Sequence, residues 1–467
     1  MTPYVVFIAM LLSMAVIQRR GIEAAFLWVW IPFFLALPFA FWVNIPGLPD
    51  PNFMQAAILP LLFVLVRDRL HRMRLGPMEA LMLLYMAIRV VADFLSRGYS
   101  DAQNYGFYMA TCVAGPYLLG RYVIADRRMD IATAKAFVVM FLIFFPMFLF
   151  EAKFWVSPVF KLLSPLFPGA GSGLSMRWGI ARTAGTFEHP ILACIMVIAV
   201  YRLHRWLCWT GEWARPQAGA LGRLQQWTAR FPFPFQVKIS AALILMALMT
   251  ISRGPWIGGL AAAVLVAAGN ARNRKRALAL MGLALLAAGV AGKLALDAYI
   301  TPEQGAVLTG EAQTMLYRKV MIERYQAFLL DRVWWGWGLT GVPKIPGMES
   351  VDNAFFLMAL QHGVFAPAVF ILIFVYAIIS QLRFGLRAPA GRAPLGFTFS
   401  GIYLMCFVAF ATVYMGAQTE PMLFLLLGWG ESVKHRGAGD DEPAPGGPPD
   451  VASPVAAGPP PFRRVLR

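Results

Sequence analysis

The sequence predicts an all-α, polytopic transmembrane helical bundle, and three observations lead to this fold class. Of the 467 residues, 59% are hydrophobic and only 14% are charged, which is too apolar for a soluble protein. Apolar runs of about 15–20 residues recur along the chain, and such a run crosses a ~30 Å hydrocarbon core as a helix. The runs are continuous, whereas a membrane β-barrel would show short alternating segments.

The apolar runs correspond to about 12 to 14 predicted spans, because several of them are short or contain proline. The runs lie at residues 3–17, 26–43, 53–66, 77–95, 103–120, 131–150, 189–206, 238–251, 254–269, 277–297, 363–382, 397–415 and 417–430.

Lysine and arginine are unevenly distributed between the loops that join these runs. Most of the 41 Lys and Arg residues fall in one set of alternate loops, which includes the C-terminal tail. Positively charged loops stay in the cytoplasm, so the other set, with loops 151–188, 252–254 and 299–351, is predicted to be periplasmic. The net charge of +17 reflects the same bias, and we therefore expect no nucleic-acid partner.

The chain is predicted to form one membrane domain with an inserted loop. This loop should contain an interfacial helix from about Gln313 to Leu330, whose mostly apolar surface packs onto the membrane or other spans. The predicted parts are spans 1–10 with the outer loop 151–188 at 1–298, the periplasmic loop at 299–351, the remaining spans at 352–432 and a disordered cytoplasmic tail at 433–467.

Cysteine and histidine show no pattern of a disulfide framework or a metal site. The four cysteines lie in or beside apolar runs at irregular spacing and are predicted to be small buried residues. The five histidines have no paired His, Asp or Glu spacing, and the chain has no Walker loop or dinucleotide fingerprint. We therefore expect neither a metal nor another cofactor.

Two arginines are prominent on the predicted periplasmic side. Arg182 follows Arg177 just before the seventh span, and Arg253 lies in a Ser-Arg-Gly sequence between two spans with almost no loop. Each alone fits a snorkelling headgroup anchor. Gly254 and Pro255 indicate a broken helix end, and arginines that converge from separate spans would form a clamp for phosphate oxygens. Both interpretations are consistent with the sequence.

Asp352 opens an apolar run and fits two roles. It is a typical helix N-cap, and it is also a candidate general base that would deprotonate a hydroxyl near the arginines. Glu188 and His189 precede Pro190, where a helix start commonly uses such residues, so they are weaker candidates for the base.

Two pairs of opposite charges lie four residues apart inside apolar runs. Arg89 and Asp93 share one helix face, and Lys293 and Asp297 repeat the spacing in the tenth predicted span. We expect each to be a structural ion pair near an outer helix end rather than part of a transport path.

The order of three short motifs resembles the O-antigen ligase and polysaccharide polymerase superfamily, over roughly residues 175–380. The motifs are Arg-x-x-Gly-Thr-Phe-x-His-Pro from Arg182, Ser-Arg-Gly around Arg253 and Asp-Asn-x-Phe from Asp352. The resemblance implies a metal-independent membrane glycosyltransferase with a GT-C-like helical fold. It also implies a donor glycan carried on undecaprenyl pyrophosphate at the outer face of the bacterial inner membrane.

The resemblance also implies roles for single residues. Arg182 and Arg253 match arginines that bind the donor pyrophosphate, and together with Asp352 they are the predicted catalytic residues. Arg318 matches a third recurrent arginine of the superfamily. The predicted substrate-binding residues are Arg177, Arg318, Glu188, His189 and Asn353.

The pair Asp352-Asn353 bears on which branch of the superfamily the chain resembles. Ligases usually have His-Asn there, whereas exopolysaccharide repeat-unit polymerases are more similar to this chain, so a polymerase is the preferred prediction. O-antigen ligation onto lipid A-core is the alternative. A second alternative is a transporter or flippase for lipid-linked glycans, which should show repeat symmetry and polar residues at the bilayer midplane. The implied partners are the lipid-linked donor, a glycan acceptor, membrane lipid, and chain-length regulator and flippase proteins.

Overall fold

A computed structural model describes residues 3–69, 75–167, 175–300, 310–348, 350–388 and 395–436. Within these ranges the chain is helical except for its connecting loops, one two-stranded hairpin and a single β-bridge, which confirms the all-α prediction. Four helices are long and apolar enough, by length and composition, to cross a membrane. They are Arg127–Phe154, Pro190–Trp209, Arg274–Gly292 and Phe365–Arg387.

The first third of the chain is a series of helices joined by short turns. They are α1 (Phe7–Arg20), α2 (Ile22–Ala25), α3 (Ile31–Ala36), α4 (Phe53–Arg69), α5 (Pro77–Arg97), α6 (Tyr99–Tyr108), α7 (Gly115–Tyr122) and α8 (Arg127–Phe154). Helix α5 has proline at its first position and ends at Gly98, whose φ of 89° suits glycine. Helix α8 starts after Asp126, whose side chain accepts a hydrogen bond from the Met129 N–H.

The middle and the last part of the chain contain the hairpin and the remaining helices. The middle elements are α9 (Pro158–Leu163), β1 (Ser175–Arg177), β2 (Ile180–Arg182), α10 (Pro190–Trp209), α11 (Gly219–Thr228), α12 (Phe235–Met249) and α13 (Arg253–Gly269). The last elements are α14 (Arg274–Ile300), α15 (Gly310–Asp331), α16 (Ala354–His362), α17 (Phe365–Arg387), α18 (Leu395–Phe410) and α19 (Thr419–Arg436).

Every predicted apolar run contains a helix, but the second run is helical over only part of its predicted length. It was expected to reach residue 43, whereas α3 ends at Ala36 and Leu37 is extended. Pro38 follows, and the residue before a proline is disfavoured in the helical region, so the helix stops there. Helix α19 extends to Arg436, so the first residues of the predicted tail are helical. The rest of that tail lies outside the described residues.

A helix is present where the sequence predicts one in the large loop, namely α15, and its position at the membrane interface stays a prediction. Its buried residues Met321 and Tyr325 form a small hydrophobic cluster with Val351 and with Leu360 of α16. The apolar surface of α15 is therefore covered in part by the helix that follows the loop, as expected for a helix that is apolar over most of its surface.

Small residues allow the helices of the bundle to approach closely. A side chain at Gly120 of α7 would overlap the backbone of α19 at Leu425, and one at Gly428 would overlap α7 at Tyr117. Helices that lie in lipid associate through such close backbone approach, because no hydrophobic difference between lipid and side chain drives them together. At one end of the bundle the chain segments before α10 and α13 are hydrogen-bonded to each other, and the starts of α13 and α16 both contact the turn after α18.

The predicted ion pair between Arg89 and Asp93 does not form, and this expectation was wrong. Arg89 Nη1 lies 2.8 Å from Glu420 Oε1 at the start of α19. Asp93 Oδ1 instead accepts a hydrogen bond from the Leu339 N–H at 2.6 Å. Arg89 and Asp93 each have a partner from a distant part of the chain, so their spacing along α5 does not determine which residues they contact. The Lys293–Asp297 side chains lie outside the described residues.

Candidate functional site

A short hairpin carries the two arginines of the first motif. Strands β1 and β2 pair antiparallel, with Ser175 opposite Arg182 and Arg177 opposite Ile180. The two turn residues, Trp178 and Gly179, have φ values of 55° and 72°. Positive φ at both positions is the type I′ turn that matches the twist of paired strands. The sequence analysis missed this hairpin, and the Trp-Gly pair was its one local signal.

The turn between α12 and α13 holds the guanidinium groups of both hairpin arginines. Arg182 donates from Nε to the Thr250 carbonyl at 3.1 Å and from Nη2 to Ser252 Oγ at 3.0 Å. Arg177 Nη1 donates to the Ile251 carbonyl at 3.1 Å. Ile251 has a φ of 47°, which is strained for a β-branched residue, so the tertiary contacts hold this turn in an unfavourable conformation.

Arg182 is buried, which bears on the interpretation of this residue as a snorkelling anchor. Its exposed fraction is 6%, and Nη1 makes a third hydrogen bond to Ser175 Oγ at 3.3 Å. Burial and the nearby charge of Arg177 lower the pKa of Arg182 to about 10. A snorkelling anchor would extend toward the headgroups, so that interpretation is wrong for Arg182.

Arg253 joins the hairpin from the other side of the turn. It is the first residue of α13, and its guanidinium carbon lies 4.8 Å from the centroid of the Trp178 ring. This cation–π contact places Arg253 beside the hairpin that carries Arg177 and Arg182. Three cationic groups from two chain segments therefore gather at one place.

A buried carboxylate fixes the loop between the hairpin and α10. Glu151, near the end of α8, is fully buried, and its Oε2 accepts hydrogen bonds from the N–H groups of Ala184 (3.2 Å) and Gly185 (2.7 Å). Gly185 has a φ of 64°, and a Cβ there would lie 2.5 Å from the Phe148 ring. The sequence analysis missed Glu151, although an acidic residue directly after an apolar run was a usable signal.

His189 and Glu188 end this loop at the start of α10. His189 Nδ1 accepts the Ile191 N–H at 3.1 Å, so the ring proton lies on Nε2 and that nitrogen is a donor. Burial and the charge of Arg182 lower the pKa of His189 to about 4, which keeps the ring neutral. Burial also raises the pKa of the Glu188 carboxyl. His189 therefore caps a helix, as expected, and presents an N–H group.

Asp352 is not the N-cap of α16. Asn353 Oδ1 accepts the Phe356 N–H at 3.0 Å, so the helix starts one residue later than the cap interpretation of Asp352 required. Asp352 Oδ1 instead accepts a hydrogen bond from Ser350 Oγ at 2.6 Å. The negative charge of Asp352 acts to raise the pKa of His189, against the lowering by burial and by Arg182.

The turn after α18 connects the remaining parts of the site. Arg318 Nη2 donates to the Thr412 carbonyl at 3.1 Å, and the Ala354 N–H donates to the Val413 carbonyl at 3.0 Å. A Cβ at Gly254 would lie 2.7 Å from Thr412 Oγ1, so the start of α13 packs on the same turn. Tyr414 packs edge-on against His189, with ring centroids 6.4 Å apart. No motif in the sequence marked this turn.

The structure thus brings the predicted site residues to one end of the bundle. Arg177, Arg182 and Arg253 meet at the hairpin, His189 ends the loop that follows it, and the segments of Asp352 and Arg318 are connected to them through the turn after α18. Among the described residues, no group of three or more His, Cys, Asp or Glu side chains could hold a metal ion. Planar guanidinium groups bind phosphate oxygens, so this arrangement is suited to an anion.

Comparison with known proteins agrees with this chemistry. A family model described as O-antigen ligase matches residues 239–371, which is less than a third of the chain. The match includes Arg253, Arg318 and Asp352, whereas the hairpin arginines lie before it. None of the curated proteins matches the chain. The family comprises ligases and polymerases of the glycosyltransferase type, which act on lipid-linked glycans. Over residues 239–371 the chain is therefore similar to the O-antigen ligase family.

Proposed function

We propose that this protein polymerises oligosaccharide repeat units carried on undecaprenyl pyrophosphate, at the periplasmic face of the inner membrane. The observation that carries the proposal is the buried, hydrogen-bonded Arg182 with Arg177 and Arg253 beside it. Asp352 precedes α16, whose first N–H group is bonded to the turn after α18 at the same end of the bundle. A cationic group of this kind is suited to a pyrophosphate, and a nearby carboxylate is suited to deprotonate a sugar hydroxyl.

The arginines supply the binding site for the donor pyrophosphate. A guanidinium has five N–H donors, and Arg182 uses three of them on Thr250, Ser175 and Ser252. These three bonds fix the plane of the guanidinium group, and two N–H donors remain for phosphate oxygens. The pKa of about 10 keeps Arg182 charged at neutral pH, so the buried charge is available to the dianionic ligand.

The same groups act on the departing lipid pyrophosphate. The acceptor hydroxyl attacks the anomeric carbon of the donor, and the bond from that carbon to the pyrophosphate oxygen breaks with its electron pair on the oxygen. Negative charge therefore grows on undecaprenyl pyrophosphate as it leaves, beside Arg182 and Arg253. One preorganised donor at a developing charge is worth about 3 kcal/mol.

Asp352 is the proposed general base. It already accepts a hydrogen bond from the Ser350 hydroxyl, which is the same type of interaction that an acceptor sugar would make. Asn353 caps α16, so the carboxylate of Asp352 is not required for that purpose. Transfer of the hydroxyl proton to Asp352 contributes about 10²–10⁴-fold. Attack from the side opposite the leaving group inverts the anomeric centre.

The test is product formation by purified protein from an undecaprenyl-pyrophosphate-linked oligosaccharide in the presence of a chelator. We expect a ladder of longer lipid-linked glycans together with free undecaprenyl pyrophosphate. A parallel reaction contains lipid A-core as a second acceptor. Transfer only to lipid A-core would show a ligase, and transport of intact donor across vesicles without new glycan bonds would show a flippase.

A further inference from the structure

A groove of about 570 Å³ lies at the end of the bundle opposite the candidate site. It runs along the second half of α17, with Leu81 of α5 on one side and Lys434 of α19 on the other. Helices α17 and α19 both start at the site end of the bundle, so their C-terminal ends lie at the far end. The proposed transfer reaction uses no residue of this groove.

The membrane-facing part of the groove is an apolar wall formed by Leu372, Val375 and Ile379 of α17. These side chains are 52%, 43% and 42% exposed, although α17 is apolar enough to cross a membrane. Their spacing of three and four residues places them on one helix face. In a membrane, such a face is covered by hydrocarbon.

The other end of the groove is a basic rim formed by Arg383, Arg387 and Lys434. Lys434 lies 2.5 Å from Glu431 Oε1, so its charge is balanced within the bundle. Arg383 and Arg387 are exposed, and neither forms an ion pair with any side chain in the described part of the chain. The rim therefore carries two uncompensated positive charges one helical turn apart.

The length of the groove matches one leaflet of a bilayer. From Leu372 to Arg383 the helix rises by about 16 Å at ~1.5 Å per residue. Half of a ~30 Å hydrocarbon core is about 15 Å. An acyl chain that lies on the apolar wall would therefore bring its headgroup to the level of the two arginines.

We propose that this groove binds one anionic phospholipid, with its phosphate at Arg383 and Arg387 and one acyl chain along the apolar wall. Charge complementarity selects an anionic headgroup, since basic pockets between spans at the cytoplasmic side bind such lipids. The lipid would lie in the leaflet opposite the candidate site and would join the ends of α17 and α19.

Lipid retention in native mass spectrometry tests this proposal. Purified protein is mixed with dioleoyl phosphatidylglycerol or dioleoyl phosphatidylcholine at equal mole fraction, and the bound lipid is counted. We expect one phosphatidylglycerol to be retained in preference. The double variant Arg383→Ala and Arg387→Ala should retain it about tenfold less. The matched control, Arg19→Ala with Arg223→Ala, removes two exposed arginines elsewhere and should retain it normally.

Two further measurements separate a lipid from other occupants. Val375→Trp fills the apolar wall with both arginines intact, and it should also weaken retention if an acyl chain lies there. Soluble glycerol 3-phosphate should compete poorly. Equal retention of the two lipids, unchanged retention in the double arginine variant, or full competition by glycerol 3-phosphate would each overturn the proposal. None of these measurements depends on glycan transfer.

Discussion

At the scale of single residues, Arg182 and Asp352 are held in different ways. Arg182 is buried and uses three of its donors to bind the turn between α12 and α13 and the first strand of the hairpin. Asp352 is partly buried, and its side chain accepts a hydrogen bond from Ser350 alone among the described hydrogen bonds. Substitution of Arg182 therefore tests geometry as well as charge, whereas substitution of Asp352 tests proton transfer with little structural consequence.

The substitution Asp352→Asn should leave folding intact and lower the rate by at least about 10²-fold, because an amide cannot take the hydroxyl proton. Asn353 remains to cap α16, so the melting behaviour should not change. The measurement is glycan transfer by purified variant at equal folded protein. As a structural control, Asn353→Ala should lower stability by about 1 kcal/mol. A wild-type rate for Asp352→Asn would mean that Asp352 is not the general base, and Glu188 would become the next candidate.

The substitution Arg182→Lys should lose most of the activity, because a point charge with three donors does not replace a planar fork. A lysine also cannot reach Thr250, Ser175 and Ser252 together, so the orientation of its charge is lost. Transfer rates at several donor concentrations provide the measurement, and Arg223→Lys at an exposed site is the control. Normal transfer by Arg182→Lys would mean that only a positive charge is needed there.

At the scale of elements, the site depends on loops that are fixed by buried polar contacts. The hairpin β1–β2, the strained turn at Ile251 and the loop at Gly185 are all short. The hairpin is bonded to the turn at Ile251, and the loop at Gly185 is bonded to Glu151 of α8. Strands of three residues are too short to show a reliable alternation in sequence. The helices around them were predictable, since each has a long apolar run, and a helix satisfies its own backbone.

Substitution of Glu151 tests whether its carboxylate holds the loop at Ala184 and Gly185. Glu151→Ala would leave the N–H groups of Ala184 and Gly185 buried without an acceptor, at a cost of about 1–3 kcal/mol each. We expect a lower thermal midpoint in detergent and reduced transfer, because the loop leads to His189. Glu151→Gln keeps an acceptor and should recover much of the stability. The control is Glu23→Ala at an exposed ion pair; if Glu151→Ala melts like that control, Glu151 does not hold the loop.

At the scale of the whole molecule, the site is formed where the starts of α10, α13 and α16 meet the turn after α18. The Arg89–Glu420 ion pair, with Tyr108 donating to Glu420 Oε2 at 2.5 Å, joins α5 and the end of α6 to the start of α19. The predicted site residues thus meet at one end of the bundle, as the proposed transfer at one membrane face requires.

The large loop is predicted to be periplasmic, and the loop that contains Arg223 is predicted to be cytoplasmic. Lys344→Cys in the large loop should react with an impermeant thiol reagent in intact spheroplasts, and Arg223→Cys should react only after lysis. Both positions are exposed, so access to the side chain is not limiting. The unsubstituted protein, in which Cys112, Cys194 and Cys406 are buried, shows the background. The reverse labelling pattern would place the candidate site in the cytoplasm.

The sequence by itself determined the features that depend on local composition. Continuous apolar runs located the helices, and the apolar pattern within the large loop located α15. The order of the arginine and aspartate motifs predicts the site residues. These are local properties, because hydropathy acts on a single segment and a helix forms its hydrogen bonds within itself. The number of helices that cross the membrane remains a prediction.

The tertiary structure alone decided which residues contact each other. Arg89 pairs with Glu420, which lies 331 positions away, rather than with Asp93 on its own helix. Asn353, not Asp352, caps α16, and Glu151 holds a loop 33 and 34 positions further on. Such contacts depend on how helices pack, and packing is set by shape complementarity between segments far apart in the chain. The local sequence pattern does not show which of these distant segments pack against each other.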